Sequence, residues 1–322
     1  MLGRKQFWIG LVLALIFLYL FFYRVDMRQV LSSLGQVNYL LVIPAVLSYL
    51  GGLWLRAVRW RFILLPLARV GPQRLFPPMV ISFALNNILP GRVGLVARTY
   101  MAGDREGISK VAMGATVVLD QVFDGLALVF LLVGLSLFFP LSGWSRHVAN
   151  VALTLYGAFL IVFFLAISSP QIPRRLVRPF LRSRWKEKGE QWLELALSGV
   201  KAIRTPGSLA LILLFSLLVW FAEAGVFFFM AIAFKLDLPF NVLLLASTIA
   251  NVAVTLPSLP GGVGPYEYFG RTTIVLFGVE GAVATAYIAV VHLVLLVPST
   301  VIGLALLWLQ RGSVRRLPGG IP

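Results

Sequence analysis

Residues 87–94 read Asn-Ile-Leu-Pro-Gly-Arg-Val-Gly, and 170 positions beyond Pro90 the same pattern returns as Leu259-Pro260-Gly261-Gly262-Val263-Gly264. Pro90, Gly91 and Gly94 are matched by Pro260, Gly261 and Gly264 in a shared Pro-Gly-x-Val-Gly. Proline pushes the residue before it out of helical backbone, and glycine admits conformations that other residues avoid, so each motif breaks a helix. The apolar stretches ahead of the breaks are short: Phe76 to Leu89 has 14 residues, and Val242 to Leu256 has 15 and stops at Pro257. At about 1.5 Å per residue these reach only about 21 to 23 Å, against roughly 30 Å for the hydrocarbon core of a bilayer. A second short segment follows each break, Leu95 to Ala102 and Pro265 to Phe277. Paired, interrupted apolar segments of this kind read as re-entrant hairpins, with ordinary kinked helices as the alternative.

Outward from the motifs lie runs long enough to cross a bilayer: 6–23, 37–55, 108–139, 148–166, 209–234 and 282–309. The first has Arg4 and Lys5 ahead of it like a secretory signal, but no small-residue cleavage site, so it is expected to stay as a helix. With a cytoplasmic N-terminus, all of the 28 Lys and Arg except Arg24, Arg28, Arg146, Lys235 and Arg271 fall on the cytoplasmic side. That asymmetry satisfies the positive-inside rule and places both termini in the cytoplasm of a cell-membrane protein. Three crossings precede the midpoint of the repeat, and an odd number inverts the second half. The expected fold is therefore an all-α polytopic membrane protein, a single integral membrane domain of 1–322 with inverted halves 1–140 and 148–311. It has about six full crossings and two re-entrant helical hairpins, and 170–206 forms a cytoplasmic basic interfacial insert.

Composition excludes most soluble chemistry. Of 322 residues 59% are hydrophobic and 12% charged, where an ordinary soluble domain has roughly 25% charged. The net charge of +16 punctuates apolar runs instead of forming a stripe, which argues against nucleic acid as a partner. There is no Cys and only two His, which leaves no thiolate chemistry and no obvious metal site, and no cofactor motif is present.

Ionisable groups at bilayer depth are costly and need a reason. Asp120 and Asp124 lie four apart on one helical face, as do Glu267 and Arg271 on the second short segment after Gly264. The two aspartates read either as a cation or proton site or as acceptors for arginines from the hairpins, a buried Asp–Arg lock. Arg92 stands where a half-helix begins, so that backbone N–H groups and a guanidinium converge on one anion, with phosphate the natural candidate. Arg98 lies on the same segment. Arg56, Arg59 and Trp60 read as interface anchors, and His292 as a packed or helix-bonded histidine, with a proton relay as the minor alternative.

Taken in series, Arg56-Ala57-Val58-Arg59-Trp60, Asn87 to Gly94 with Arg98, Val118 to Asp124, and Leu259 to Gly264 with Glu267 resemble the transmembrane, flippase-like domain of lysylphosphatidylglycerol synthases. The resemblance covers nearly the whole chain in the expected order. It implies movement of a lipid from the inner to the outer leaflet, and its relatives are linked to aminoacylated phospholipids, hopanoids and prenyl-linked glycolipids. The chain departs from the family's pattern at Leu95, at Asp120 and Gln121, and at Tyr266. The soluble aminoacyl-transferase domain of bifunctional members is not expected after Leu309.

The functional expectation is a non-enzymatic lipid flippase or transporter for a polar or anionic lipid, aminoacylated or prenyl-linked species included. Its expected substrate or translocation residues are Arg92, Arg98, Asp120, Asp124, Glu267, Arg271, Arg59 and Asn87, and its hairpin breakers are Pro90, Gly91, Gly94, Pro257, Pro260, Gly261, Gly262 and Gly264. The alternatives are an intramembrane lipid-modifying transferase with Asp120 or Asp124 as general base, and a non-transporting partner of a lipid synthase or glycosyltransferase.

Overall fold

The structure is a computed structural model that describes residues 4–136, 138–139, 154, 157, 206–256 and 258–314. Apart from Thr154, Gly157 and Pro206, the crossing expected at 148–166 and the insert at 170–206 lie outside the described residues, as does Pro257. Among the described residues the elements are all helical: α1 (Arg4–Phe22), α2 (Met27–Gly35), α3 (Val42–Leu64), α4 (Pro72–Ile88), α5 (Val93–Glu106), α6 (Lys110–Ser136), α7 (Pro206–Ala233), α8 (Phe240–Ala253), α9 (Pro265–Leu276) and α10 (Gly281–Val314), with short 3-10 turns at Tyr39–Leu41 and Pro260–Gly262.

Four stretches are long and apolar enough to cross a membrane: Tyr39–Leu64, Lys110–Ser136, Gly207–Ala233 and Gly281–Gln310. They match the second, third, fifth and sixth expected crossings. The first falls on α1, whose apolar portion Leu11–Phe22 is shorter than a full span.

The main difference in boundaries is α3, expected to end near Leu55 and found to run on to Leu64. Arg56, Arg59 and Arg61 are good helix formers, and nothing stops the helix before Pro66. This continuation carries Arg56, Arg59 and Trp60. Their burial corrects the expectation that they are interface anchors.

The chain groups into two compact units, one made of Met1–Trp54, Phe76–Arg98 and Phe221–Pro322, the other of Leu55–Leu75 and Thr99–Trp220. These units interleave along the sequence.

The first unit contains both Pro-Gly-x-Val-Gly motifs. In it α9 packs against α8 and α10: a Cβ on Gly270 would sit 3.1 Å from Ile288 Cδ1 and 3.6 Å from Ala250 Cβ. Phe17 of α1 lies 5.6 Å from the rings of Tyr268 and Phe269. A Cβ on Gly303 of α10 would meet the Val80 carbonyl at 2.8 Å, the close backbone approach that small residues allow between membrane helices. The buried Tyr287 hydroxyl is satisfied by donating to the Phe227 carbonyl at 2.7 Å.

The second unit is organised on α6. Phe62 stacks on Phe215 at 5.7 Å, and the Trp60 indole N–H donates to Thr116 Oγ1 at 3.0 Å.

Candidate functional site

In the first unit the chain reverses at Pro90-Gly91-Arg92. Gly91 has φ +82 and Arg92 φ +54, the latter an uncommon conformation for a residue with a side chain. Directly afterwards the Gly94 N–H donates to Asn86 Oδ1 at 2.8 Å. A Cβ on Gly94 would overlap the Ser82 carbonyl. Only glycine lets the first turn of α5 lie back against α4, so the motif's last residue decides how tightly this reversal closes. Arg92 is exposed at the break, and Arg98 is buried on α5.

The second break carries three glycines with positive φ: Gly261 at +75, Gly262 at +81 and Gly264 at +104. A Cβ on Gly264 would come within 2.9 Å of the Ala14 carbonyl oxygen, so α1 presses on the turn. Glu267 caps α9 by accepting the Gly264 N–H on Oε2 at 2.7 Å. Its Oε1 is 2.6 Å from His292 Nδ1, and His292 Nε2 is 3.0 Å from the Gly261 carbonyl oxygen. The Tyr266 ring stacks on the imidazole at 4.1 Å. Nearby, the Asn251 amide donates to Glu223 Oε1 at 2.6 Å.

The two motifs lie together. A Cβ on Gly261 would be 3.7 Å from the Asn87 carbonyl oxygen and 3.1 Å from Leu296 Cδ2. The Asn87 amide in turn shares its hydrogens among the Leu296 carbonyl, Ser299 Oγ and Thr300 Oγ1 at 3.3, 3.1 and 3.0 Å. One stretch of α10 thus receives both breaks, and Asn87 is the clasp. Asn87→Ala leaves part-buried acceptors without this donor, and about 1–3 kcal/mol of stability should be lost. Thermal unfolding of the purified protein in detergent reads this; a change within about 0.5 kcal/mol, usual for an exposed site, would show that the clasp does no structural work.

The second unit gathers the other sequence candidates. Arg59, 0% exposed, places Nε and Nη2 at 2.9 and 2.6 Å from Asp120 Oδ1 and Nη1 at 2.8 Å from Asp124 Oδ1. Its Nη1 also reaches Ser216 Oγ at 3.2 Å. Arg56 pairs with Asp124 Oδ2 and lies 5.0 Å over the Trp220 ring, whose N–H donates to the Asp124 carbonyl at 3.2 Å. Two guanidinium groups therefore meet two carboxylates, a buried and neutral set. The arginines come from α3 and not from the broken segments, where the sequence had suggested them.

Arg271 is turned away from Glu267, toward Thr285 Oγ1 at 2.9 Å and the Gly281 carbonyl. His292, as the partner of Glu267, is the buried polar residue whose contact sequence reasoning did not point to. A signal existed: between 206 and 310 the only basic side chains are Lys235, Arg271 and His292, and a buried acid needs a partner.

Residues 7–303 match the family model described as the lysylphosphatidylglycerol synthase TM region. The chain is 25% identical to a UPF0104 membrane protein of Methanothermobacter thermautotrophicus, across 70% of this chain and 72% of that protein. It is 25% identical to the UPF0104 membrane protein MJ1078 of Methanocaldococcus jannaschii, across 57% of this chain and 76% of that protein. It is also 29% identical to the glycosyltransferase AglD of Haloferax volcanii, across 80% of this chain but 47% of that protein, so it spans about half the length of that relative.

Proposed function

The chain belongs to the lysylphosphatidylglycerol synthase transmembrane region family, and from that premise we propose that this membrane protein moves a polar or anionic lipid between the leaflets of the cell membrane. The observation that carries the reading is the juxtaposition of the two glycine-broken motifs in one unit, with Asn87 beside Gly261. Irregular backbone is tolerated at membrane depth only where protein or a polar cavity satisfies it. Here the α4–α5 and α8–α9 pairs act as re-entrant hairpins of an inverted repeat with about six crossings and cytoplasmic termini, and their meeting point is the polar seam through which a head group travels. The exposed Arg92 guanidinium at the start of α5 receives the lipid phosphate. Asp120 and Asp124, each engaged by Arg59, hold α3 and α6 of the second unit in place and do not bind cargo. Directed transport then follows from unequal lipid affinity in inward- and outward-facing states.

Translocation is proposed in preference to covalent chemistry, so lipid masses should be unchanged after incubation with the purified protein. A lipid synthase or glycosyltransferase as partner belongs to the same proposal, prompted by the similarity to AglD. The test is leaflet exchange of a labelled anionic lipid in reconstituted vesicles. Wild type should exceed Arg92→Ala by roughly 10- to 100-fold, the value of one charge-assisted hydrogen bond. Equal rates for wild type, Arg92→Ala and protein-free vesicles would sink the reading.

A further inference from the structure

The His292 imidazole has an acceptor at both ends. Nδ1 faces a carboxylate oxygen of Glu267 at 2.6 Å, and Nε2 faces the Gly261 carbonyl oxygen at 3.0 Å. A carbonyl only accepts, so Nε2 must carry hydrogen. One further proton must then lie between Nδ1 and Oε1, on the nitrogen as an imidazolium–carboxylate pair or on the oxygen as a neutral acid bonded to a neutral ring. Either way the pair is electrically neutral and holds one proton more than a carboxylate with a neutral histidine. Removing that proton sets two lone pairs against each other, at Nδ1 and Oε1 or at Nε2 and the Gly261 carbonyl, in a site where His292 is 5% and Glu267 8% exposed.

We propose that Glu267 and His292 form a proton-binding site whose occupancy fastens the second helix break. The three groups that the pair ties down are the Gly261 carbonyl, the Gly264 N–H and the start of α9. When the proton leaves to water, the acceptor-to-acceptor contact is relieved by releasing Gly261, and its left-handed backbone swings away from α10. The surrounding groups support a site that changes charge. Tyr266 covers the ring from α9, and its buried hydroxyl takes no hydrogen-bond partner among the described residues. Glu223 of α7 and Tyr287 of α10 belong to the same unit, and the Tyr287 hydroxyl is taken up by the Phe227 carbonyl. Asn251 of α8 is bonded to Glu223, Arg271 is turned to Thr285, and α1 contributes the Ala14 backbone. Among the described residues the ion-pair partner of Glu267 is His292, so the pair's own proton decides its charge.

The inference rests on the lipid-carrying reading only for the work the proton is coupled to. Its test needs no lipid movement. The chain has no cysteine, so Ser258→Cys gives a unique spin-label position just before the turn. Label mobility is followed in vesicles between about pH 5 and pH 9. The wild-type background should pass from an immobile to a several-fold more mobile label as pH rises. Glu267→Gln should stay immobile throughout: its amide donates to Nδ1 and accepts from the Gly264 N–H, while a neutral Nε2–H still serves Gly261, so every bond survives without a titrating proton. His292→Leu should be mobile throughout. A flat wild-type profile, or a Glu267→Gln profile that repeats the wild-type transition, overturns the proton site. A normal transition in a protein that moves no lipid overturns the transport reading and leaves the site standing.

Discussion

Arg59→Met is expected to lower the stability of the protein by about 3–5 kcal/mol, the cost of breaking a buried ion pair from one side. Arg59 is fully enclosed and makes its contacts to Asp120 and Asp124 with Nε and both terminal nitrogens. Methionine keeps much of the side-chain volume, so the loss reports charge and hydrogen bonding and not a cavity. Removing the guanidinium takes the Arg59 charge from Asp120 and leaves Asp124 with Arg56, in a helix-packed interior where an under-compensated charge is costly. Adding Asp120→Asn to Arg59→Met should recover a measurable part of the loss, because the buried carboxylate that lost the Arg59 charge is then neutral. Unfolding of single and double variants in detergent, read as a double-mutant cycle, tests this. Additive costs would mean that Arg59 and Asp120 do not act as a unit, and a cost below about 1 kcal/mol would place the pair with exposed salt bridges.

Gly264→Ala is the second large effect, with an expected loss of about 2–6 kcal/mol and of lipid exchange with it. About 1–3 kcal/mol comes from forcing a side chain into φ +104, and a similar amount from overlap with packed neighbours. The atoms a Cβ would meet are the carbonyl oxygen and Cα of Ala14 at 2.9 and 3.0 Å, which are backbone and cannot rotate aside. Gly278 supplies the control: its φ is +88, but a Cβ there meets nothing within 4 Å. Gly278→Ala should therefore cost only about 1–2 kcal/mol, the left-handed penalty alone. Thermal unfolding of the two variants separates conformational strain from the approach of α1. Equal shifts would show that α1 does not press on the turn.

Much of the helical layout was legible because it depends on local properties. Run length and apolar content marked the helices at Lys110–Ser136 and Gly281–Gln310, and proline and glycine marked the break after Ile88. The end of α3 was misplaced because charge was read as a sign of the membrane surface, whereas Arg56 and Arg59 continue the helix and are neutralised inside the protein. Asp120 and Asp124 were recognisable as a pair needing an explanation, since a four-residue spacing shares a helical face. That the answer is a set of arginines on α3 was not recognisable, because neither helix's own pattern records which rotation it adopts against the other. The same holds for Glu267. Its position three residues after Gly264 made it a natural cap for the helix, but nothing local pointed it at His292.

The sequence by itself determined that the chain is built of long apolar helices interrupted twice at a repeated Pro-Gly-x-Val-Gly, since these are consequences of side-chain transfer energies and backbone sterics acting within a few residues. Only the tertiary structure decided which polar groups meet: Arg59 with Asp120 across 61 positions, His292 with Glu267 across 25, and Asn87 with Thr300 across 213. Such pairings are set by helix rotation and close packing, which depend on all neighbours at once.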